Sequence, residues 1–230
     1  MRKPDDHWMS ISDVMSGLMI VFMFIAISFM MQVQNEQRQK DAMIYNYAVV
    51  RHKIYEALSQ EFREDLPKWN AEIDERTLTL RFKEPDILFD VGSASLTPKF
   101  QQILNDFLPR YVNVISQDEY RDYVDEIRIE GHTDPFWAGA QTRQQEYLNN
   151  MVLSQARTHA VLSYAINMPA LQNNLEWIIR RITANGLSSN QPIIIGDAID
   201  PKLSRRVDFR IRTKADEKMN ELAEGMETNE

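Results

Sequence analysis

The sequence predicts an α+β fold in which a single N-terminal transmembrane helix and a helical linker precede a sandwich of helices on a mixed sheet. The run from Val14 to Met31 is apolar and uncharged for roughly eighteen residues, which is long enough to cross a bilayer as a helix. A polar segment with apolar residues at helical spacing follows it. The remainder alternates strand-like and helix-like periodicity in the order β-α-β-α-β-β, which favours helices on one face of the sheet.

These patterns divide the 230 residues into five segments. We predict an N-terminal segment 1–12, a transmembrane helix 13–32, a helical linker or plug 33–70, an α+β domain 71–213 and a flexible tail 214–230. The formal net charge of -8 argues against direct contact with nucleic acid, because phosphate binding needs a concentrated cationic surface. The absence of cysteine excludes disulfides, thiolate metal sites and a cysteine nucleophile.

The apolar run has one alternative interpretation, the core of a cleaved signal peptide. Arg2 and Lys3 would then form the basic region, and Ala26-Ile27-Ser28 the cleavage box. The run is long for a signal core, and Asp13, Ser16 and Gly17 interrupt its start. A retained helix is therefore the favoured prediction.

Asp13 is the acidic residue at the head of that run. If Trp8 marks the membrane interface, Asp13 lies about five residues deeper, roughly 7 Å along the helix axis. A carboxylate at that depth needs protein or water around it and usually marks a path for ions or protons. It could equally cap the helix at the level of the headgroups. Position alone leaves both interpretations open.

The linker carries a stripe of apolar residues at steps of three and four, which predicts an amphipathic helix. The stripe comprises Met43, Tyr47, Val50, Ile54, Leu58 and Phe62. It could form a short dimer seam or pack on the domain that follows, and the second interpretation is favoured. Pro67 ends the segment.

Within the domain, alternation predicts strands at 77–83, 126–130, 177–184 and 206–212. Thr97-Pro98 is a capping residue followed by proline at the first helical position, so a helix begins there, and Pro109 should kink or end it. A second helix is predicted at 148–166, and 84–96 is rich in turns. In the last strand, Arg206, Asp208, Arg210 and Arg212 alternate with apolar residues, which favours a solvated strand face over a nucleic-acid patch.

Four sequence blocks occur in the order found in the OmpA-like peptidoglycan-binding domain, which the segment 77–213 resembles. They are Phe89–Leu96, Ile127–Asp134, Asn150–Arg157 with its N-x-x-L-S-x-x-R pattern, and Ser204–Phe209. The segment Pro135–Asn149 is longer than the family usually has, and Ser204 replaces the customary asparagine. The extra length puts the shape of the binding cleft in question.

The resemblance implies that Asp134 and Arg157 hold the diaminopimelate of a peptidoglycan stem peptide. A guanidinium can bind the ligand carboxylate with two hydrogen bonds, while a carboxylate accepts from the ammonium. Asn150, two helical turns from Arg157, faces the same side, Thr133 and Leu153 line the cleft, and Arg205 borders it. The alternative for Arg157 is a salt bridge to Asp134 without a ligand.

The sequence predicts neither an enzyme nor a cofactor. His132 and Asp134 are too few ligands for a metal site. A hydrolase acting on the cell wall would need a nucleophile–base pair or a metal constellation, and no such pattern is present in the sequence.

The N-terminus resembles the B subunit of rotary stator units, through Trp8, Asp13, Gly17, Leu18, Met19 and Phe22. Ile11–Met19 and Phe24-Ile25-Ala26 are most similar to the MotB-like subunit of Zorya anti-phage defence systems. This implies a homodimer inside a pentamer of a multi-pass MotA-like A subunit, in which Asp13 carries H⁺ or Na⁺. It also implies a single pass through the bacterial inner membrane, with a cytoplasmic N-terminus and a periplasmic C-terminal domain. A passive membrane-to-wall anchor and a flagellar-type motility stator are the alternatives.

Overall fold

The computed structural model describes residues 6–83, 88–90 and 92–214. The predicted tail beyond residue 214, residues 1–5 of the predicted N-terminal segment and part of the turn-rich segment 84–96 lie outside the described residues. The chain divides into two compact units, residues 1–46 and 47–230. Helix α1 (Asp6–Glu61) contributes to both.

Residues 12–39 of α1 form a helical stretch that is long enough and apolar enough to cross a membrane. The apolar stretch is not buried by any other described part of the chain, and the side chains from Val14 to Met31 are exposed. Exposed apolar surface of this extent is unfavourable in water. It therefore requires lipid or another polypeptide around it.

The second unit contains the strands and the remaining helices. They are β1 (Ala71–Asp74), β2 (Thr79–Phe82), α2 (Pro98–Ile115), β3 (Val124–His132), α3 (Arg143–Ile166), a 3₁₀ helix (Pro169–Asn174), α4 (Leu175–Ile179), β4 (Ile182–Gly186), β5 (Ile194–Ile195), β6 (Ala198–Ile199), α5 (Pro201–Ser204) and β7 (Arg206–Thr213).

Five of the strands form one sheet in the order β1-β2-β7-β3-β4. Strands β3 and β4 are parallel, and the other neighbours are antiparallel. Leu80, Phe209 and Ile129 lie opposite one another across β2, β7 and β3, and all are almost completely buried. The ring of Phe107 on α2 packs 5.0 Å from that of Phe209. This mixed sheet with helices packed on its apolar face confirms the predicted α+β class.

The start of α2 is as predicted, because the Thr97 hydroxyl oxygen accepts the N–H of Phe100 at 3.1 Å. Of the two outcomes predicted for Pro109, a kink or an end of the helix, the end is wrong, since α2 continues to Ile115. A proline removes one backbone hydrogen bond. The buried side chains of Leu108, Tyr111 and Val112 on either side of it keep the helix packed on the core.

The strand predicted over 177–184 is wrong in its first part and correct over 182–184, which belong to β4. Helix α4 extends to Ile179, and β4 begins only at Ile182. The N–H of Arg181 donates to the carbonyl of Ile178 at 2.8 Å and closes a turn between them. The run of isoleucines favours a strand by composition, but Trp177 and Ile178 are buried on the helical turn.

The C-terminal part of α1 and the residue after it, which belong to the second unit, pack on the α+β core, as the favoured interpretation of the apolar stripe predicts. Ile54, Leu58 and Phe62 are at most 1% exposed and belong to the same core as the sheet. Val50 packs against it and is partly buried. The side chains of Met43 and Tyr47 are not among those that the structure describes.

Two glycines bring helix α3 close to the sheet. A β-carbon on Gly131 would lie 2.9 Å from the carbonyl oxygen of Ser154, and one on Gly186 would clash with the backbone of Gln155. Real β-carbons do not approach other atoms so closely. Glycine on β3 and on β4 therefore lets the middle of α3 lie against the ends of both strands.

Candidate ligand-binding pocket

A pocket of about 470 Å³ opens where β3 ends beside α3. Its lining comes from four segments of the second unit. The lining residues are Phe89, Gly92, Thr133, Asp134, Phe136, Trp137, Ala138, Asn150, Leu153, Arg157 and Arg205. Thr133, Asp134, Asn150, Leu153, Arg157 and Arg205, the residues predicted for the cleft, therefore lie together around one cavity.

Asp134 follows the end of β3 and is 9% exposed. One of its carboxylate oxygens, Oδ1, accepts the N–H of Phe136 at 2.9 Å. The other, Oδ2, accepts from Nη1 of Arg205 at 2.8 Å, and this ion pair is about one-third exposed on the arginine side. The carboxylate of Asp134 is thus paired with the guanidinium of Arg205, which solvent or a ligand can reach.

Arg157 projects from α3 and is 7% exposed. Its Nε donates to the carbonyl of Ser93 at 2.9 Å, and its guanidinium carbon lies 4.9 Å from the centroid of the Phe89 ring. Among the described residues, its two terminal amino groups have no hydrogen-bond or ion-pair partner. The alternative was a salt bridge between Arg157 and Asp134. In the described residues Asp134 pairs with Arg205 instead.

The protonation of Arg157 reflects this environment. Burial, and then the positive charge of Arg205, lowers the pKa of the Arg157 guanidinium to about 10, while Asp134 acts in the opposite direction. The group still carries its charge at neutral pH. A buried cation that has free donors is unfavourable by itself and becomes favourable when an anion binds to it.

Two further polar atoms of the lining residues lack partners. Oγ1 of Thr133 and Nδ2 of Asn150 are buried, and neither has a hydrogen bond within the described ranges. Buried polar groups are nearly always satisfied in folded proteins. Together with Arg157 they supply donors, and Asp134 supplies an acceptor, so the arrangement suits a ligand that carries both a carboxylate and an ammonium group.

A second polar cluster lies on the face of the sheet opposite to the helices. Glu130, His132 and Asp208 present ligand atoms within 4.8 Å of one another, a spacing that a metal ion could bridge. However, Asp208 already accepts from Nε of Arg81 and from Nε of Arg206, each at 3.2 Å. Two guanidinium charges at this distance disfavour a metal cation. The cluster is better described as a buried ion-pair network.

This network corrects the prediction of a solvated strand face. Arg206 and Asp208 are 5% and 2% exposed, whereas Arg210 and Arg212 are only partly buried. Burial, followed by the charges of Arg206 and Arg81, lowers the pKa of His132 to about 3, so the imidazole is neutral at neutral pH. Strand alternation predicts on which face of the sheet a side chain lies, but not whether other residues bury that face.

Asp13 belongs to the first unit, on the N-terminal part of α1, where its side chain is exposed. The hydroxyl of Ser16 donates to the carbonyl of Ser12 at 2.8 Å, one turn back along the helix. A β-carbon on Gly17 would meet no described atom within 4 Å. The side chains beside Asp13 on this helix face are therefore small, and they leave room for a neighbouring helix.

Sequence reasoning missed the aromatic part of the pocket. Phe136 and Trp137 line it, and both belong to the segment Pro135–Asn149. The signal was present in the unusual length of this segment, which begins directly after Asp134. Phe89 was recognised as part of a sequence block but not as a partner of the Arg157 guanidinium.

The pocket lies within the part of the chain that matches the OmpA family, residues 88–206, so the chain contains an OmpA-family domain. Over 213 residues it is 45% identical to the Zorya protein ZorB of Escherichia coli strain Crooks, and the aligned region covers 92% of this chain and 90% of that protein. The chain belongs to the family of Zorya ZorB proteins. Both resemblances inferred from its sequence are confirmed.

The crystal structure of a MotB-like protein from Desulfovibrio vulgaris is similar in fold, with a TM-score of 0.54 and 22% sequence identity. The match covers 74% of this chain and 99% of that one. At this identity the similarity establishes the fold alone.

Proposed function

We propose that this protein is the B subunit of an ion-driven membrane stator of the Zorya anti-phage defence type, anchored to peptidoglycan through its second unit. One observation carries the proposal. The same chain joins a carboxylate at the head of an uncharged, unburied apolar helix to an OmpA-family domain whose pocket contains an arginine with donors that no described residue accepts. The first feature suits ion transport, and the second suits attachment to the wall.

The geometry of the pocket supports attachment through diaminopimelate. The free amino groups of Arg157 can bind a ligand carboxylate in the two-bond geometry typical of guanidinium. The ligand ammonium would bind to the carboxylate of Asp134. There it would compete with the guanidinium of Arg205, which is partly exposed to solvent. Thr133 and Asn150 offer the remaining hydrogen bonds. On this proposal the second unit lies in the periplasm, and α1 crosses the inner membrane once.

The membrane part requires partners for a physical reason. A lone helix cannot form a conduit around one carboxylate, and a charge at membrane depth needs protein or water beside it. Ser16 and Gly17 lie three and four residues after Asp13, so they share its helix face and let another helix approach closely. We propose that two copies of this chain lie within a pentamer of a multi-pass MotA-like subunit.

In such an assembly Asp13 would take up and release H⁺ or Na⁺. Moving one charge through about 100 mV supplies roughly 2.3 kcal/mol. That energy is enough to shift a conformational equilibrium between packed helices by more than tenfold. Conformational change in the A subunit would then carry the signal of phage infection to cytoplasmic partners.

The decisive experiment substitutes Asp13 in cells that also carry the partner subunit. Asp13→Asn removes the titratable group at nearly constant size and should abolish protection against phage, whereas Asp13→Glu keeps the carboxylate and should retain part of it. Membrane insertion and retention on purified wall should be the same for both variants. If Asp13→Asn protects fully, the ion-conducting role is wrong and the chain is a passive anchor.

The wall end is tested separately. The full-length protein should sediment with purified peptidoglycan and be released by free diaminopimelate, and Arg157→Ala should not sediment. Retention that neither free diaminopimelate nor Arg157→Ala reduces would show that the pocket does not anchor the protein.

A further inference from the structure

We propose that Phe136 and Trp137 form a saccharide-binding part of the pocket, which takes a sugar ring of the glycan strand while Asp134 and Arg157 hold the stem peptide. The inference rests on the proposed function and extends it from the stem peptide to the glycan. It assigns a role to the segment Pro135–Asn149, which the charged part of the pocket does not explain.

The first observation is exposure at the mouth of the pocket. Phe136 is 64% exposed and lines the cavity, and it is the most exposed of the aromatic side chains described in the second unit. Trp137, its neighbour, is half-buried and lines the same cavity. Large aromatic groups that stay exposed beside a pocket usually mark a contact surface.

The second observation is that hydrogen bonds fix the backbone of the segment at these two residues before any ligand arrives. The N–H of Phe136 donates to Oδ1 of Asp134 at 2.9 Å, so the aromatic pair is tied to the carboxylate at the pocket. Pro135 fixes the backbone between them. The N–H of Ala140 donates to the carbonyl of Trp137 at 3.2 Å, and Gly139 adopts a φ of +83°, which closes the turn. Preorganisation of this kind reduces the entropy lost on binding.

The third observation is size. A volume of about 470 Å³ falls in the range of pockets that take drug-sized ligands. A single diamino acid is smaller than that, so the charged group leaves room for another part of the ligand. The charged residues and the aromatic residues of the lining therefore suit two chemically different parts of one molecule.

A sugar ring fits the aromatic part better than the stem peptide does. The residues next to the diamino acid in a stem peptide carry a methyl group or a carboxylate, and neither covers an exposed aromatic face. A pyranose has a flat side made of C–H groups, which packs on an aromatic ring. The glycan is also the part of peptidoglycan that lies outside a pocket that holds the peptide end.

The test compares two soluble ligands on the full-length protein in detergent. One is a stem tripeptide that ends in diaminopimelate, and the other is the same tripeptide attached to its N-acetylglucosaminyl-N-acetylmuramyl disaccharide. We expect the disaccharide to tighten binding by about three- to tenfold, which corresponds to one aromatic contact. Phe136→Ala should reduce that ratio to about one.

Two variants make the test specific to a flat ring. Phe136→Tyr keeps the ring and should keep the ratio, whereas Phe136→Leu keeps apolar area without the ring and should lose it. Ile179→Ala is the matched control, because Ile179 is 52% exposed on α4 and does not line the pocket. Equal binding of the two ligands by the unmodified protein, or an unchanged ratio in Phe136→Ala, would overturn the proposal.

The same titrations separate this inference from the proposed function. If Arg157→Ala does not weaken binding of the tripeptide, attachment through the charged residues is wrong. If Arg157→Ala weakens it but the disaccharide adds nothing, attachment stands and only the saccharide contact is wrong.

Discussion

Two buried arginines in the second unit have opposite surroundings. Arg206 is 5% exposed and Arg157 is 7% exposed, so both lose most of their hydration. Arg206 donates to Asp208 and to the carbonyls of Gln191 and Ser204. Arg157 donates through Nε to one carbonyl, and its terminal amino groups point to no described acceptor. Burial with partners indicates a structural role, and burial with free donors indicates a binding site.

The charge balance shows the same difference. In the network, Arg81 pairs with Asp208 and Glu72, Arg206 pairs with Asp208, and Arg210 pairs with Glu130, so each cation lies beside at least one carboxylate. Among the described residues that line the pocket, Arg157 and Arg205 face one carboxylate, that of Asp134. Those three groups carry a net charge of +1, which a ligand carboxylate would neutralise. The comparison therefore predicts that substitutions in the network change stability and that substitutions in the pocket change binding.

The largest effect is expected from Asp208→Ala. Removal of the carboxylate leaves two guanidinium groups beside each other without their shared acceptor, which should lower the free energy of unfolding by about 3–5 kcal/mol. Urea unfolding of the full-length protein in detergent, followed by tryptophan fluorescence, measures it. Asp134→Asn is the matched control. The Arg205 side chain can turn to solvent, so this substitution should lower the free energy of unfolding by less than about 1 kcal/mol. Equal destabilisation by both would contradict the comparison.

His132, which belongs to the buried network, should make the stability of the protein depend on pH. Its pKa is about 3 in the folded protein, against the ordinary value of 6.5 for histidine in the unfolded chain, so the unfolded chain binds the proton more tightly. The stabilisation is fully present above pH 6.5 and is lost as the pH falls towards 3. Between about pH 4 and pH 6.5 the free energy of unfolding should rise by about 3 kcal/mol.

His132→Gln removes this titration, so its pH profile should be flatter than that of the unmodified protein over the same range. Glu130 acts in the opposite direction, because burial raises its pKa and its contribution to stability is lost as the pH rises above its ordinary value. The difference between the two profiles isolates His132. Parallel profiles would show that the imidazole binds its proton equally well in the folded and unfolded states.

Arg157→Lys should change binding much more than stability. Lysine keeps the charge but cannot form two parallel hydrogen bonds to a carboxylate, so the affinity for a diaminopimelate tripeptide should fall by about a hundredfold. Titration calorimetry measures the affinity, and the urea midpoint should move little. Arg206→Lys is the matched variant, which should lower the urea midpoint and, while folded, still bind the tripeptide. The reverse pattern would exchange the roles of the two arginines.

Local signals predicted much of the fold. Thr97 and Pro98 marked the start of α2, and alternation placed Leu80, Phe82 and Phe209 on the apolar face of the sheet. These predictions succeeded because capping and strand periodicity depend on neighbours in sequence. The sequence blocks also located the residues of the pocket.

Contacts across long sequence separations could not be predicted in the same way. Arg205 and Asp134 form their ion pair across 71 residues, and no local pattern favours it over a pair between Arg157 and Asp134. The burial of Asp208 depends on Arg81 and Arg206 covering a strand face that alternation marks only as polar. The difference between a structural and a binding arginine is a property of such tertiary contacts.

Arg110 provides an intermediate case and the smallest expected effect. Its side chain is 30% exposed and joins the end of α1 to α2: Nη2 donates to the carbonyl of Glu61 at 2.7 Å, and Nη1 donates to Asp65 at 2.9 Å. Its guanidinium carbon lies 4.8 Å from the centre of the Phe62 ring. Each of its three guanidinium nitrogens donates to an acceptor, but solvent screens the charges.

Arg110→Ala should therefore lower the free energy of unfolding by about 1 kcal/mol, and the loss should shrink at high salt. Lys68→Ala is the matched control, because Lys68 also pairs with Asp65, at 3.0 Å, but is 65% exposed, and its loss should have almost no effect. The hydrogen bond from Arg110 holds the pKa of Asp65 below its ordinary value, so the contribution of Arg110 is present above that value and is lost as the pH falls. A loss as large as that of Asp208→Ala would mean that the number of partners, rather than burial, sets the energy of an arginine in this fold.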